Sequence, residues 1–125
     1  IRERIARAAG DRPVVLLAVS KQQPAGAVRA LAGLGHRAFG ENYVQEARAK
    51  QAGLADLDLC WHLIGPLQSN KCAEAAVAFD WIDSIDRAKI IPLLARFRGD
   101  RPPLQVLIQV NIDDEASKSG CAPDE

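Results

Sequence analysis

The chain has 125 residues, of which 48% are hydrophobic and 26% charged, and its sixteen basic residues balance sixteen acidic ones. This composition excludes disorder and fibrous repeats, and a balanced charge with no basic block gives no support for a nucleic-acid partner, which is held by clustered Lys and Arg. The longest apolar runs, residues 14–19 and 75–79, fall far short of the roughly 20 residues that cross a bilayer, so a soluble, cytoplasmic protein with no membrane partner is expected. The chain lacks methionine and begins at Ile1, which reads as a piece of a longer product. A single domain over residues 1–125 is expected, about half the roughly 250 residues of a closed (β/α)8 barrel. Cys60, Cys72 and Cys121 lack CxxC spacing and read as reduced thiols, not as a disulfide framework or zinc site.

In chain order, residues 1–10 place Ile5, Ala8 and Ala9 on one face of a leading helix. Apolar or alternating runs then begin at Val14, Arg37, Cys60, Trp81 and Leu104, at intervals of 23, 23, 21 and 23 residues. Each pair of runs is separated by a segment of helical period. Pro24 suits a first turn, with Ala27, Val28, Leu31 and Leu34 inward and Gly35 closing the helix in the left-handed conformation. Asn42 and Gln45 have the form of a capping box, with Gly53 closing that helix. Ser69 is expected to cap a helix with Ala73, Ala76 and Val77 inward. Asp86 is expected to cap the last, with Ile90, Leu93, Leu94 and Phe97 inward, Gly99 at its end and Pro92 kinking it or delaying its start. Strand and helix alternating through short loops give a parallel α/β sheet. Uniform repeats without a GxGxxG turn favour a barrel over a doubly wound sheet.

In such folds chemistry sits where strands end. Lys21 follows the first strand, and a lysine desolvated there becomes a nucleophilic amine able to form a Schiff base with an aldehyde. Asn42 follows the second strand and has a sufficient role as a helix cap; His62 lies within the third, where a satisfied core histidine is the simpler reading. In the fifth, Val106, Ile108, Val110 and Ile112 alternate with Gln105, Leu107, Gln109 and Asn111. The apolar set is expected to lie under helices and the polar set to face inward, where Gln109 and Asn111 could bond to each other. Residues 65–71 lack the second glycine and the hydroxyl of a P-loop. Cys60, His62 and Cys72 lack zinc spacing, and Ser20, His62 and Asp83 lack a nucleophile elbow.

Six ordered segments carry a resemblance: residues 17–21 (LAVSK), 39–46 (FGENYVQE), 61–71 (WHLIGPLQSNK), 85–87 (IDR), 109–112 (QVNI) and 117–120 (SKSG). Together they resemble the pyridoxal phosphate homeostasis protein family. The resemblance implies a fold-type III, alanine-racemase-like barrel, here about its first five β/α units. It also implies pyridoxal 5'-phosphate as cofactor, held as a Schiff base on Lys21, with Asn42, His62 and Asn111 as pocket walls. Gln22-Gln23 stands where the family commonly has Thr-Lys. The family's phosphate-gripping loops, and an arginine near the pyridine nitrogen, belong to strands beyond Glu125. Five strands leave the first and fifth edges open, so weak cofactor binding and self-association are expected. The implied function is a non-catalytic carrier in vitamin B6 homeostasis, with apo pyridoxal-phosphate enzymes as possible recipients. The alternative is a racemase or decarboxylase; a racemase also needs a tyrosine base from a second domain, and Tyr43 reads as packing.

Overall fold

Parallel strands leave each crossover helix to return the chain across one face of the sheet, and that rule builds most of this molecule. In a computed structural model, which describes residues 1–124, the strands are Ala18–Val19 (β1), Ala38–Glu41 (β2), Cys60–Leu63 (β3), Trp81–Ile85 (β4) and Gln105–Ile108 (β5). The helices are Arg2–Ala9 (α1), Ala25–Gly33 (α2), Val44–Ala52 (α3), Cys72–Ala78 (α4) and Ile91–Arg98 (α5). The sheet order is β1-β2-β3-β4-β5, parallel throughout. Strands added always on the same side form a barrel wall, whereas a doubly wound sheet reverses at a switch point. β1 and β5 each pair on one side only, so the wall is open at both ends as expected.

The helix-side face is the core. Phe39, Leu63 and Ile82 are at most 1% exposed and pack with Trp61 and Ile85 against the helices. Ala47, Ala75 and Ala76 are fully buried, and these small side chains let α3 and α4 approach the sheet closely. The other face presents Val19, Gly40, His62, Trp81 and Gln105 in one register row. This is the inner surface of the wall.

Several expectations change. Ladder pairing in the first run is confined to β1, because the residues that would face 14 and 15 in this register, 35 and 36, lie in the turn that follows α2. α2 buries Val28 and Ala32, while Leu31 and Leu34 are exposed; α4 buries Cys72, Ala75 and Ala76, with Val77 out, and α5 leaves Phe97 partly exposed. The N-cap of α3 is Tyr43, so Asn42 is not the cap, and no capping side-chain bond forms there. Ser69 and Asp86 do not cap either, since 3-10 turns at Ser69–Lys71 and Ala88–Ile90 precede α4 and α5 and satisfy the first amides through the backbone. That turn delays α5, whose first turn then accommodates Pro92. Gly35 has the left-handed φ of 90°, whereas Gly53 ends α3 at φ −90°. In β5 the apolar set is uncovered: Val106 and Ile108 are exposed and line an open cleft of 480 Å³ with α5.

One close approach fixes the exits of β2 and β3. A Cβ on Gly65 would lie 2.2 Å from the Asn42 carbonyl oxygen and 2.8 Å from its Cα, both main-chain atoms that cannot swing away. Gly65→Ala is therefore expected to lower stability by about 1–3 kcal/mol, read as a lower urea midpoint with an unchanged slope.

Candidate functional site

Lys21 sits at the apex of a turn just beyond β1, two residues past the pair Val19–Gly40; Asn42 lies two residues past Gly40 on β2. The two are thus neighbours at the strand exits. Lys21 is exposed, which corrects the expectation of a desolvated amine: β1 is an edge strand, with no neighbour on its outer side to bury the exit. Its ammonium makes no hydrogen bond or ion pair with any described residue, and the turn around it is held by others.

That turn is fastened by a buried polar cluster. Ser20 N–H donates to the Gly40 carbonyl at 2.9 Å and Gln23 N–H to the Ser20 carbonyl at 3.0 Å, which closes residues 20–23. Lys50 of α3 donates from Nζ to the Ser20 carbonyl at 2.5 Å, to Glu41 Oε1 at 2.6 Å and to Glu46 Oε1 at 2.9 Å. Glu41 Oε1 also accepts from Ser20 Oγ at 2.8 Å, and Glu46 Oε1 from Gln22 N–H at 2.5 Å. Glu41 is 0% exposed and Lys50 8%. Burial pulls the Lys50 ammonium down, but hydrogen bonds to Glu41 and Glu46 outweigh it, and the group titrates above 10.5. Glu46 is held below its ordinary 4.5, first by the Lys50 hydrogen bond and then by Gln22 N–H.

His62 lies one row below the exits on β3, its ring stacked on Trp81 with centroids 5.2 Å apart and planes at 6°. Its Nδ1 is 3.1 Å from Asp83 Oδ2 and its Nε2 3.7 Å from Cys60 Sγ. Burial, then the charges of Asp80, Asp83 and Asp58, push the Cys60 thiol above its ordinary 9.0, which weakens it as a nucleophile. Cys72 belongs to the helix side, where its thiol faces the Gln68 carbonyl. Asn111 and Gln109 do not bond to each other. Gln109 Nε2 donates to the Ser119 carbonyl, while Asn111 Nδ2 donates to the Glu115 carbonyl and its Oδ1 accepts from Glu115 N–H. The chain turns back after β5, so that Val110 bridges Cys121, and this fold supplies their partners. Lys21, Asn42 and His62 thus share adjacent strands, while Asn111 stands beyond β5, at the far edge of the wall. Reading the sequence missed Lys50 and the joint role of Ser20, Glu41 and Glu46. The i,i+4 spacing of Glu46 and Lys50 was the available signal.

The strand exits offer a primary amine with no hydrogen-bond partner among the described residues, on a fixed turn, and the space over the neighbouring Gly40 is filled by the Leu17 and Ile64 side chains, which a Cβ there would meet at 3.3 Å. A family description, "Alanine racemase, N-terminal domain", matches residues 2–125. The fold and site thus define a barrel wall of the alanine racemase type, and the chain belongs to that N-terminal domain family. Among particular proteins, it is 57% identical over 123 residues to the pyridoxal phosphate homeostasis protein of Pseudomonas aeruginosa, covering 96% of this chain and 54% of the relative. It is 48% identical over 131 residues to the protein of that name from Escherichia coli, covering 96% and 55%. PipY of Synechococcus elongatus, solved with pyridoxal phosphate bound, superposes with a TM-score of 0.81 at 46% identity, covering 98% of this chain and 58% of that one. The chain spans about half the length of these relatives. Among the described residues no helix is long and apolar enough to cross a membrane.

Two outcomes follow from the buried cluster. Lys50→Met leaves the Glu41 carboxylate without its cation and is expected to cost about 3–5 kcal/mol in denaturant unfolding. A carboxylate depressed in the folded state contributes stability that is present above its unfolded value and is lost as pH falls through the folded one. Glu46 therefore contributes fully above pH 4.5 and progressively less below it. Urea midpoints measured from pH 7 to pH 2 should show a shallower acid loss in Glu46→Gln than in the parent.

Proposed function

We propose that the chain is the lysine-bearing part of a pyridoxal phosphate homeostasis protein, a carrier that holds the cofactor and keeps its free concentration low. The observation that carries this is the Lys21 amine, free of any described partner on a turn held by buried hydrogen bonds. Similarity to PipY, whose structure holds pyridoxal phosphate, supports it. Pyridoxal phosphate supplies an aldehyde that condenses reversibly with a primary amine, with loss of water. Lys21 would provide that amine, Asn42 a half-buried amide at the neighbouring exit, and the stacked His62 a flat wall whose Nδ1 is turned to Asp83. Asn111 would border the site from the far edge, acting through the loop that Glu115 fastens to it.

The carrier is non-catalytic and cytoplasmic in this reading, with apo pyridoxal-phosphate enzymes as recipients and self-association through the open β1 and β5 edges. A racemase or decarboxylase is the second reading, favoured by the family description. The single tyrosine, Tyr43, precedes α3 and is exposed, which gives it no enclosed position from which to act as a base. Turnover of alanine enantiomers that vanishes in Lys21→Ala would establish the enzyme instead.

Titration with pyridoxal phosphate, borohydride reduction and peptide mapping test the assignment. A label confined to Lys21 and absent from Lys21→Ala is the expected result. A label spread over Lys21, Lys50, Lys71, Lys89 and Lys118, or no label, overturns it.

A further inference from the structure

We infer that Glu46, with Lys50 and Glu41 behind it, is a positioning residue that sets how well Lys21 captures pyridoxal phosphate, without touching the cofactor. The inference rests on Lys21 as the attachment site.

Lys21 makes no hydrogen bond or ion pair with any described residue that would aim its side chain, so its direction is set by the main chain on either side. On one side, Ser20 is held through all three of its polar groups: N–H to Gly40, carbonyl to Lys50 and hydroxyl to Glu41. On the other, Gln22 has φ 61°, a left-handed conformation that costs a non-glycine residue roughly 1 kcal/mol or more. The tie that offsets this cost is the charge-assisted bond from Gln22 N–H to Glu46 Oε1. Lys50 then locks Glu46 from one turn further along α3. Released from Glu46, Gln22 relaxes toward negative φ, and the direction in which the Lys21 side chain leaves the turn changes with it. α3 thereby transmits its position to the reacting amine through two main-chain groups, the Gln22 N–H and the Ser20 carbonyl.

A different role for the cluster, plain stabilisation of the fold, would lower stability everywhere and treat Gln22 like any other amide. The two are separated by hydrogen exchange on the full chain, with Gln22 compared to Trp61–Leu63 of β3 in the same sample, alongside cofactor titration and borohydride mapping. In Glu46→Ala, Gln22 exchange should rise about 10-fold beyond any rise shared with β3, and pyridoxal phosphate should bind about 10-fold more weakly, the size of one lost hydrogen bond to a charged group. The label should stay on Lys21. Glu46→Gln, which keeps an acceptor oxygen, should fall between the two. Unchanged Gln22 protection in Glu46→Ala overturns the inference, as does lost protection with unchanged affinity. Either result with the label on Lys21 leaves the carrier reading intact, whereas a label elsewhere in the parent protein overturns both.

Discussion

The Lys50 ammonium is the contact on which the first half of the wall depends. It lies between the Glu41 carboxylate of β2, the Ser20 carbonyl beyond β1 and the Glu46 carboxylate of its own helix, so one atom ties two strands and a helix. Placing a charge there is costly unless every partner is in position. The cluster therefore specifies a single arrangement of β1, β2 and α3, where apolar packing alone would tolerate small slips. Among the described residues Glu41 Oε2 has no hydrogen-bond partner, so they hold this carboxylate through one oxygen.

The second half is organised differently. β3, β4 and the helices over them rely on apolar contact, with Leu63, Ile82, Phe79 and Ile90 at the centre. Polar ties there serve loops: Ser84 Oγ donates to the Gly65 carbonyl at 2.6 Å, Arg87 to the Leu67 carbonyl, and Arg98 to the carbonyls of Ala76 and Phe79. The inner surface is correspondingly mixed, with a tethered, charged exit at β1 and a stacked histidine and tryptophan further along.

The repeat of 21–23 residues was legible because each unit must contain a strand, a crossover helix and two short loops, and the strand starts follow within a few residues. Helix faces were less legible. α2 is so rich in Ala and Gly that periodicity alone could not choose between Leu31 and Ala32, and the tight spacing of helix on sheet chose the smaller residue. Caps failed for a related reason: the 3-10 turns before α4 and α5 satisfy amides that Ser69 and Asp86 were expected to serve. The places of Lys21 and Asn42 just past β1 and β2, and of His62 within β3, could be read from the strand pattern. Lys50 could not be singled out by its i,i+4 spacing to Glu46 alone, since a lysine in the last turn of a helix has the pattern of a solvated one until the strand that supplies Glu41 is in place.

The contact between Gly65 and the Asn42 carbonyl bears on how such a mouth can change over time. Spacing between the second and third exits is set there by main chain against main chain, with no side chain interposed. Neighbouring positions such as Asn42, Ile64 and Pro66 can then be exchanged to alter chemistry while the aperture keeps its width. A lineage could retune what the opening accepts through single substitutions, each leaving the frame undisturbed, as long as residue 65 stays glycine.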